Sequence, residues 1–237
     1  MGASKILLVL GSGKNIGLSV AKSFSSAGYK VVLVSRSADG QTTPEGYTTI
    51  QADLAKPDSV PSIFASVKEK LGSSPNVVVY NAAAVSPAAD ATNPLTVPVK
   101  DLEKDLAVAN SSPYAAAREA VAGFEGLDKS LPKAFVYTGN RLAAVTAPAA
   151  NFVTLGVGKS AASYWIGVSS ALFKDKGYKF FFADERAADG NSVGREVSGK
   201  AAGEFYLELA EGKSDIPWFA TFVAGKGYVD FPDSKRR

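Results

Sequence analysis

The chain has 237 residues, 46% hydrophobic and 21% charged, with a formal net charge of +3. That is enough for one α/β domain with a large core, too apolar for disorder, and too weakly basic to argue for nucleic acid. Cysteine and histidine are both absent, which excludes disulfides and thiolate chemistry, removes the commonest metal ligands so that no metal is expected, and leaves proton transfer to Tyr, Lys, Asp and Glu.

The first apolar run, 5–10, begins so early that no signal peptide is expected before it. It stops at Gly11, and Gly11-Ser-Gly-Lys-Asn-Ile-Gly17 leads directly into a helical stretch over 15–27. A strand, a glycine-rich turn and a helix N-terminus in that order form a phosphate-binding unit, so a dinucleotide is the first expectation. Gly11 and Gly13 permit a turn that side chains would block, and Gly17 lets the helix approach the strand. Gly11, Gly13, Lys14, Asn15, Ile16 and Gly17 are therefore the candidate cofactor contacts, with the helix-start N–H groups expected to face the pyrophosphate. A glycine turn between strand and helix is common, and a purely structural turn is the competing reading.

Further strands are predicted over 30–35, 48–51, 76–80, 133–138, 178–183 and 219–223. They are nearly continuous apolar runs, as expected when both faces of a parallel sheet are covered. Helices are predicted between them over 57–71, 99–125, 153–175 and 194–211. Two irregular stretches, 37–47 and 86–98, follow strands and are expected to be binding loops. The basic end Lys235-Arg-Arg reads as a solvated, frayed tail. Strands alternating with helices give an α/β, doubly wound parallel sheet, a Rossmann-type single domain over 1–237. No apolar run approaches the roughly 20 residues that span a bilayer, so a cytoplasmic protein without membrane contact is expected.

The first turn resembles that of the short-chain dehydrogenase/reductase family, which usually reads Gly-x-x-x-Gly-x-Gly. Gly11, Asn15 and Gly17 take those places, and Asn15 replaces the middle glycine. Asn tolerates left-handed backbone angles, so the turn is expected to survive. The resemblance runs over nearly the whole chain. Asp53-Leu54 follows the third strand, where the family places an Asp beside the adenine; a plain turn or cap is the alternative for Asp53, as it is for Asn81. Asn81-Ala82-Ala83 resembles the family's Asn-Ala-Gly after the fourth strand. Asn110 matches the active-site Asn of the long central helix, and Lys159 the lysine that holds the ribose hydroxyls. The resemblance also implies a small-molecule substrate and a homodimer or homotetramer through 99–125 and 153–175.

The second strand ends Val34-Ser35-Arg36-Ser37. An acidic residue there would accept the ribose 2′-hydroxyl of NAD(H), whereas Arg36, helped by Lys14, suits the 2′-phosphate of NADP(H). NADP(H) is the expected cofactor; solvated Lys14 and Arg36 side chains are the bland reading.

The catalytic pattern departs from the family. Its Tyr stands four residues before the Lys, and here that residue is Leu155, which cannot donate a proton. The enoyl-reductase spacing, seven before, falls on Phe152. The family's Ser falls in Thr138-Gly139-Asn140, at Asn140, a hydrogen-bonding side chain that is not an acid. Loss of a general acid costs about 10²–10⁴ in rate. Another residue must donate (Tyr164, Tyr137, Tyr80 or Tyr114), or the substrate is a C=N or activated C=C that needs no such acid, or the protein binds NADP(H) without turnover. After the sixth strand, Ala183-Asp184-Glu185-Arg186 replaces the usual Pro-Gly. One of these carboxylates is a candidate acid or a contact for a cationic substrate, against an ordinary Arg–Glu surface pair. Arg141 is a candidate substrate anchor, and Trp218 and Phe219 are expected in the pocket or an interface. Asn110, Asn140 and Lys159 are thus the candidate catalytic residues of an NADP(H)-dependent oxidoreductase; the alternative is a non-catalytic NADP(H)-binding sensor or partner protein.

Overall fold

A computed structural model describes residues 4–146, 149–212 and 215–234; the basic tail Lys235-Arg-Arg lies outside these. Eight strands form one sheet in the order β3-β2-β1-β4-β5-β6-β7-β8. They are β1 (Ile6–Leu10), β2 (Lys30–Ser35), β3 (Thr48–Gln51), β4 (Val77–Tyr80), β5 (Lys133–Thr138), β6 (Tyr178–Glu185), β7 (Phe219–Val223) and β8 (Gly227–Tyr228). β1 to β7 run parallel, and β8 turns back antiparallel on β7. The doubly wound α/β fold expected from the strand–helix alternation is what the chain adopts.

Burial on both faces explains the near-continuous apolar runs. All five residues of β1 are fully buried. On one face, Leu7 and Val9 pack with α1 (Ile16–Ser26) and α6 (Gly199–Glu211). On the other, Leu8 and Leu10 pack with α2 (Val60–Leu71), α4 (Ser112–Glu125) and α5 (Val153–Leu172). α1 and α6 approach very closely. A Cβ on Gly203 would lie 2.6 Å from Ser23 Oγ, and one on Gly199 would overlap Asn15 and Ser19. Two absent side chains thus let backbone meet backbone.

The expected helix over 99–125 is broken. α3 (Val99–Leu106) and α4 are joined by a π-helical turn, Ala107–Ser111. The wider turn frees carbonyls from the usual ladder, and the sheet uses them: Tyr80 Oη donates to Val108 O (2.6 Å) and Tyr137 Oη to Ala109 O (2.7 Å). The two rings stack nearly parallel, 5.8 Å apart. The expected helix over 194–211 begins only at Gly199, where Ser198 Oγ accepts from Ala201 N–H. β6 runs two residues beyond the expected strand, to Glu185. β8, two residues long, carries no periodicity from which it could be read.

Candidate functional site

The strand order reverses between β1 and β4, and the crevice at such a switch point, beyond the carboxyl ends of the strands, is where open α/β sheets bind ligands. Gly11 forms its neck at φ +93°, and a Cβ there would lie 2.5 Å from Ala82 N. Gly11 and Ser12 N–H both donate to Val34 O at 3.0 Å, which ties the loop against the end of β2. A Cβ on Gly17 would meet Ser12 Cα at 2.6 Å, so α1 begins pressed on the turn. Gly13 differs from the expectation: its Cβ position faces open space, and it is not among the positive-φ glycines. Nothing among the described residues requires glycine there.

Asn15 has a different role from the expected one. Its φ is −92°, so left-handed tolerance is not used. Its Nδ2 donates to Val197 O (2.7 Å) and its Oδ1 accepts from Gly199 N–H (3.0 Å), stapling the first turn to the start of α6. Ile16 begins α1, and the Lys14 and Arg36 side chains are exposed. Asp53 Oδ1 accepts from Ala55 N–H (3.1 Å), an Asx turn. Leu54 is buried, and its carbonyl accepts from Ser112 Oγ (2.7 Å).

Asn81 links β1 to β5. Its Nδ2 donates to Gly11 O (2.8 Å), and its Oδ1 accepts from Thr138 Oγ1 (3.0 Å). Thr138 is where the two helical layers meet. Tyr206 Oη, from α6, donates to Thr138 Oγ1 (3.0 Å), and Lys159 Nζ, from α5, donates to Thr138 O (2.6 Å). Nζ also sits 4.3 Å from the centroid of the Tyr137 ring. Lys159 is buried, and desolvation pulls its pKa down to about 7 against the opposing influence of Asp184.

Asn110 lies in the π turn and accepts from Trp165 Nε1 (3.2 Å). Asn140 caps the short helix Arg141–Ala143, its Oδ1 accepting from Leu142 N–H (3.1 Å). Of the tyrosines considered as donors, Tyr80 and Tyr137 are buried and already donate to backbone carbonyls. Tyr114 and Tyr164 are exposed. Phe152 is exposed as well, and Leu155 is half-buried one turn before Lys159. Trp218 packs on Gly167 of α5, and Phe219 is in the core.

The Asp184-Glu185-Arg186 segment is not a surface pair. Arg186 is buried, and its Nε donates to Asp184 Oδ2 at 2.6 Å. Its Nη1 donates to Gly190 O (2.9 Å) and to both oxygens of Asp233 (3.2 and 3.1 Å). Arg141 Nε reaches Asp233 Oδ2 at 3.3 Å. Glu185 accepts from Ser198 N–H (3.0 Å), and burial raises its pKa. Burial also pushes Asp184 up to about 6, against the pull of Arg186. Among the described residues, Asp184 Oδ1 and Arg186 Nη2 are buried without a hydrogen-bond partner. Sequence reasoning did not reach the roles of Thr138, Tyr206 or Asp233, because each meets the site through tertiary contacts that no local spacing encodes.

A family model described as enoyl-(acyl carrier protein) reductase matches residues 11–148. The short chain dehydrogenase/reductase dmxR12 of Cryptosporiopsis sp. is 42% identical over 242 residues, covering 97% of this chain and 96% of its own length. Solved structures share the fold. An oxidoreductase of the short-chain dehydrogenase/reductase family from Brucella ovis, in complex with a partially ordered NAD, superposes with a TM-score of 0.70 at 20% identity, covering 93% of this chain and 99% of that one. The NADPH-dependent 3-quinuclidinone reductase of Rhodotorula rubra does so with a TM-score of 0.73 at 19% identity, covering 93% and 90%.

Proposed function

This chain belongs to the short-chain dehydrogenase/reductase family of oxidoreductases, and from that footing we propose an NADP(H)-dependent enzyme that reduces a small organic substrate without the family's Tyr. The observation that carries the cofactor reading is the pairing of Lys14 with Arg36. Because Gly11 and Ser12 are both bonded to Val34 O, the loop bearing Lys14 lies beside the end of β2, just before Arg36. Two exposed cations at that place suit a 2′-phosphate.

The described residues fit a dinucleotide. Gly11 and Ala82 form a neck too tight for a side chain, and the space beside Gly13 is open. Ile16 and Gly17 begin the helix, whose N-terminal N–H groups suit a pyrophosphate. Asp53 and Leu54 follow β3 on the adenine side, and Asn81 braces the crevice floor. A bound nicotinamide would supply the hydride. Lys159 has ammonium donors beyond the one on Thr138 O for the ribose, and Asn110 and Asn140 position water or substrate. Leu155 supplies no proton, so the reading extends to C=O, C=N and activated C=C substrates. One domain over 1–237, assembled as a homodimer or homotetramer through α3–α4 and α5, completes the proposal. Its support is a row of exposed apolar residues, Val157, Tyr164, Val168 and Leu172, along α5.

Titration with NADPH and NADH tests the cofactor. NADPH should bind more tightly, and Lys14→Ala or Arg36→Ala should each weaken NADPH by about tenfold, the scale of one charge-assisted contact, with little effect on NADH. Tighter NADH binding overturns the assignment. A second reading, an NADP(H)-binding protein without turnover, is favoured by Leu155 and by the closure of Asp233 over Arg186. Firm NADPH binding with no oxidation against ketones, enones and cyclic imines would select it.

A further inference from the structure

We propose that Arg141 and Arg186 form a binding site for an organic carboxylate at the carboxyl ends of β5 and β6, and that the chain's own Asp233 holds the place of that ligand. This deepens the NADP(H)-dependent reductase reading by naming the substrate as a small organic acid, and it rests on that reading for the site's purpose.

The two carboxylates on Arg186 are held differently. Asp184 is fully buried and bonds Nε at 2.6 Å, within the tight range of charge-assisted pairs. Asp233 is partly exposed, and its contacts with Arg186 and Arg141 run from 3.1 to 3.3 Å. These are longer than the roughly 2.7–2.9 Å typical of such bonds. Asp233 also uses the guanidinium poorly. Both of its oxygens fall on Nη1, while Nη2 is buried with no partner among the described residues. A planar carboxylate across Nη1 and Nη2 would make two parallel bonds and satisfy the orphaned donor.

Charge argues the same way. With Asp233 in place, Arg141 and Arg186 are balanced by Asp184 and Asp233. Without the Asp233 charge, the buried Arg186 keeps only Asp184 and the partly exposed Arg141 loses that ion pair, which favours uptake of an anion. The place is also right for a substrate. Arg141 follows β5, Arg186 follows β6, and Asp184 is near enough to Lys159 to act on its charge. The segment bearing Asp233 rests on the loop after β6: a Cβ on Gly190 would lie 2.9 Å from the Phe231 ring. Displacing Asp233 therefore loosens the cover over the end of β6 as the ligand enters.

Titration of the cofactor-free protein with benzoate and with neutral benzamide, followed by backbone amide shifts, tests this. Asp233→Asn should bind benzoate about tenfold more tightly than wild type, the scale of one charged hydrogen bond. Benzamide should not discriminate. The gain should vanish in Asp233→Asn/Arg141→Gln. Equal benzoate affinity in wild type and Asp233→Asn, or an equal gain for benzamide, overturns the proposal. If Asp233→Asn does not fold, Arg141→Gln alone decides: weaker benzoate binding than wild type supports the site, and unchanged binding overturns it. The benzoate titration contains no nicotinamide, so its failure would leave NADP(H) binding intact, and the NADPH titration tests that separately.

Discussion

Lys159 shows how far a single residue could be read. Its identity and spacing were legible, but its setting was not: the carbonyl of Thr138 and the Tyr137 face come from β5, and the Asp184 charge comes from β6. Burial has opposite consequences for the two titrating groups, and their mutual attraction only partly offsets it. Lys159 is held down to about 7 when folded and titrates near 10.4 when unfolded. Between those values the unfolded chain binds more protons, so stability rises with pH. Asp184 is raised to about 6, so the folded chain binds more protons from about pH 4 to 6 and stability falls across that window. A stability minimum is expected between about pH 6 and 7 from these two shifts. Urea unfolding from pH 5 to 9 checks it. Lys159→Met should remove the rise above pH 7 and keep the fall below pH 6; persistence of the upper limb in that variant would remove Lys159 as its source. Asn15 teaches the converse. Its type suggested a backbone accommodation, whereas a distant partner decides its role.

At the scale of elements, the strands were read nearly to the residue because both faces of the sheet are covered and leave uninterrupted apolar runs. Helices were read less well where tertiary demand overrides the local pattern. The π turn of Ala107–Ser111 answers hydroxyls from β4 and β5, and the late start of α6 answers Asn15 and Glu185. The α1–α6 contact depends on that staple. Asn15→Ala removes one donor and one acceptor to backbone partners and should lower the unfolding free energy by about 1–2 kcal/mol. Hydrogen exchange should speed at the Gly199 amide first, since Asn15 Oδ1 is its acceptor. Protection at Gly199 equal to wild type would mean that the packing of Gly199 and Gly203 against α1 fixes the helix unaided.

For the molecule as a whole, the fold class was legible from the order of strands and helices, and the crevice from its first turn. The closure over β6 was not, because Asp233 comes from a stretch that carries no motif. The proposed assembly makes a prediction at this scale. Tyr164, Val168 and Leu172 recur every four residues along one exposed side of α5. Val168→Glu should therefore reduce the mass in sedimentation equilibrium to the monomer's 24.6 kDa, with the thermal transition of the fold retained. A wild-type chain that sediments as a monomer would end that reading. The strand order has a further consequence, for the growing chain. β1 lies between β2 and β4, and its partner Val77–Tyr80 is made about 70 residues later. Until then, a wholly apolar central strand has only β2 beside it and its other edge is open. Closing so long a loop is slow, and an open apolar edge recruits other chains. For β1 that interval ends when β4 docks, but β4, β5 and β6 are almost as fully buried, and each in turn leaves an open apolar edge until the next strand pairs with it.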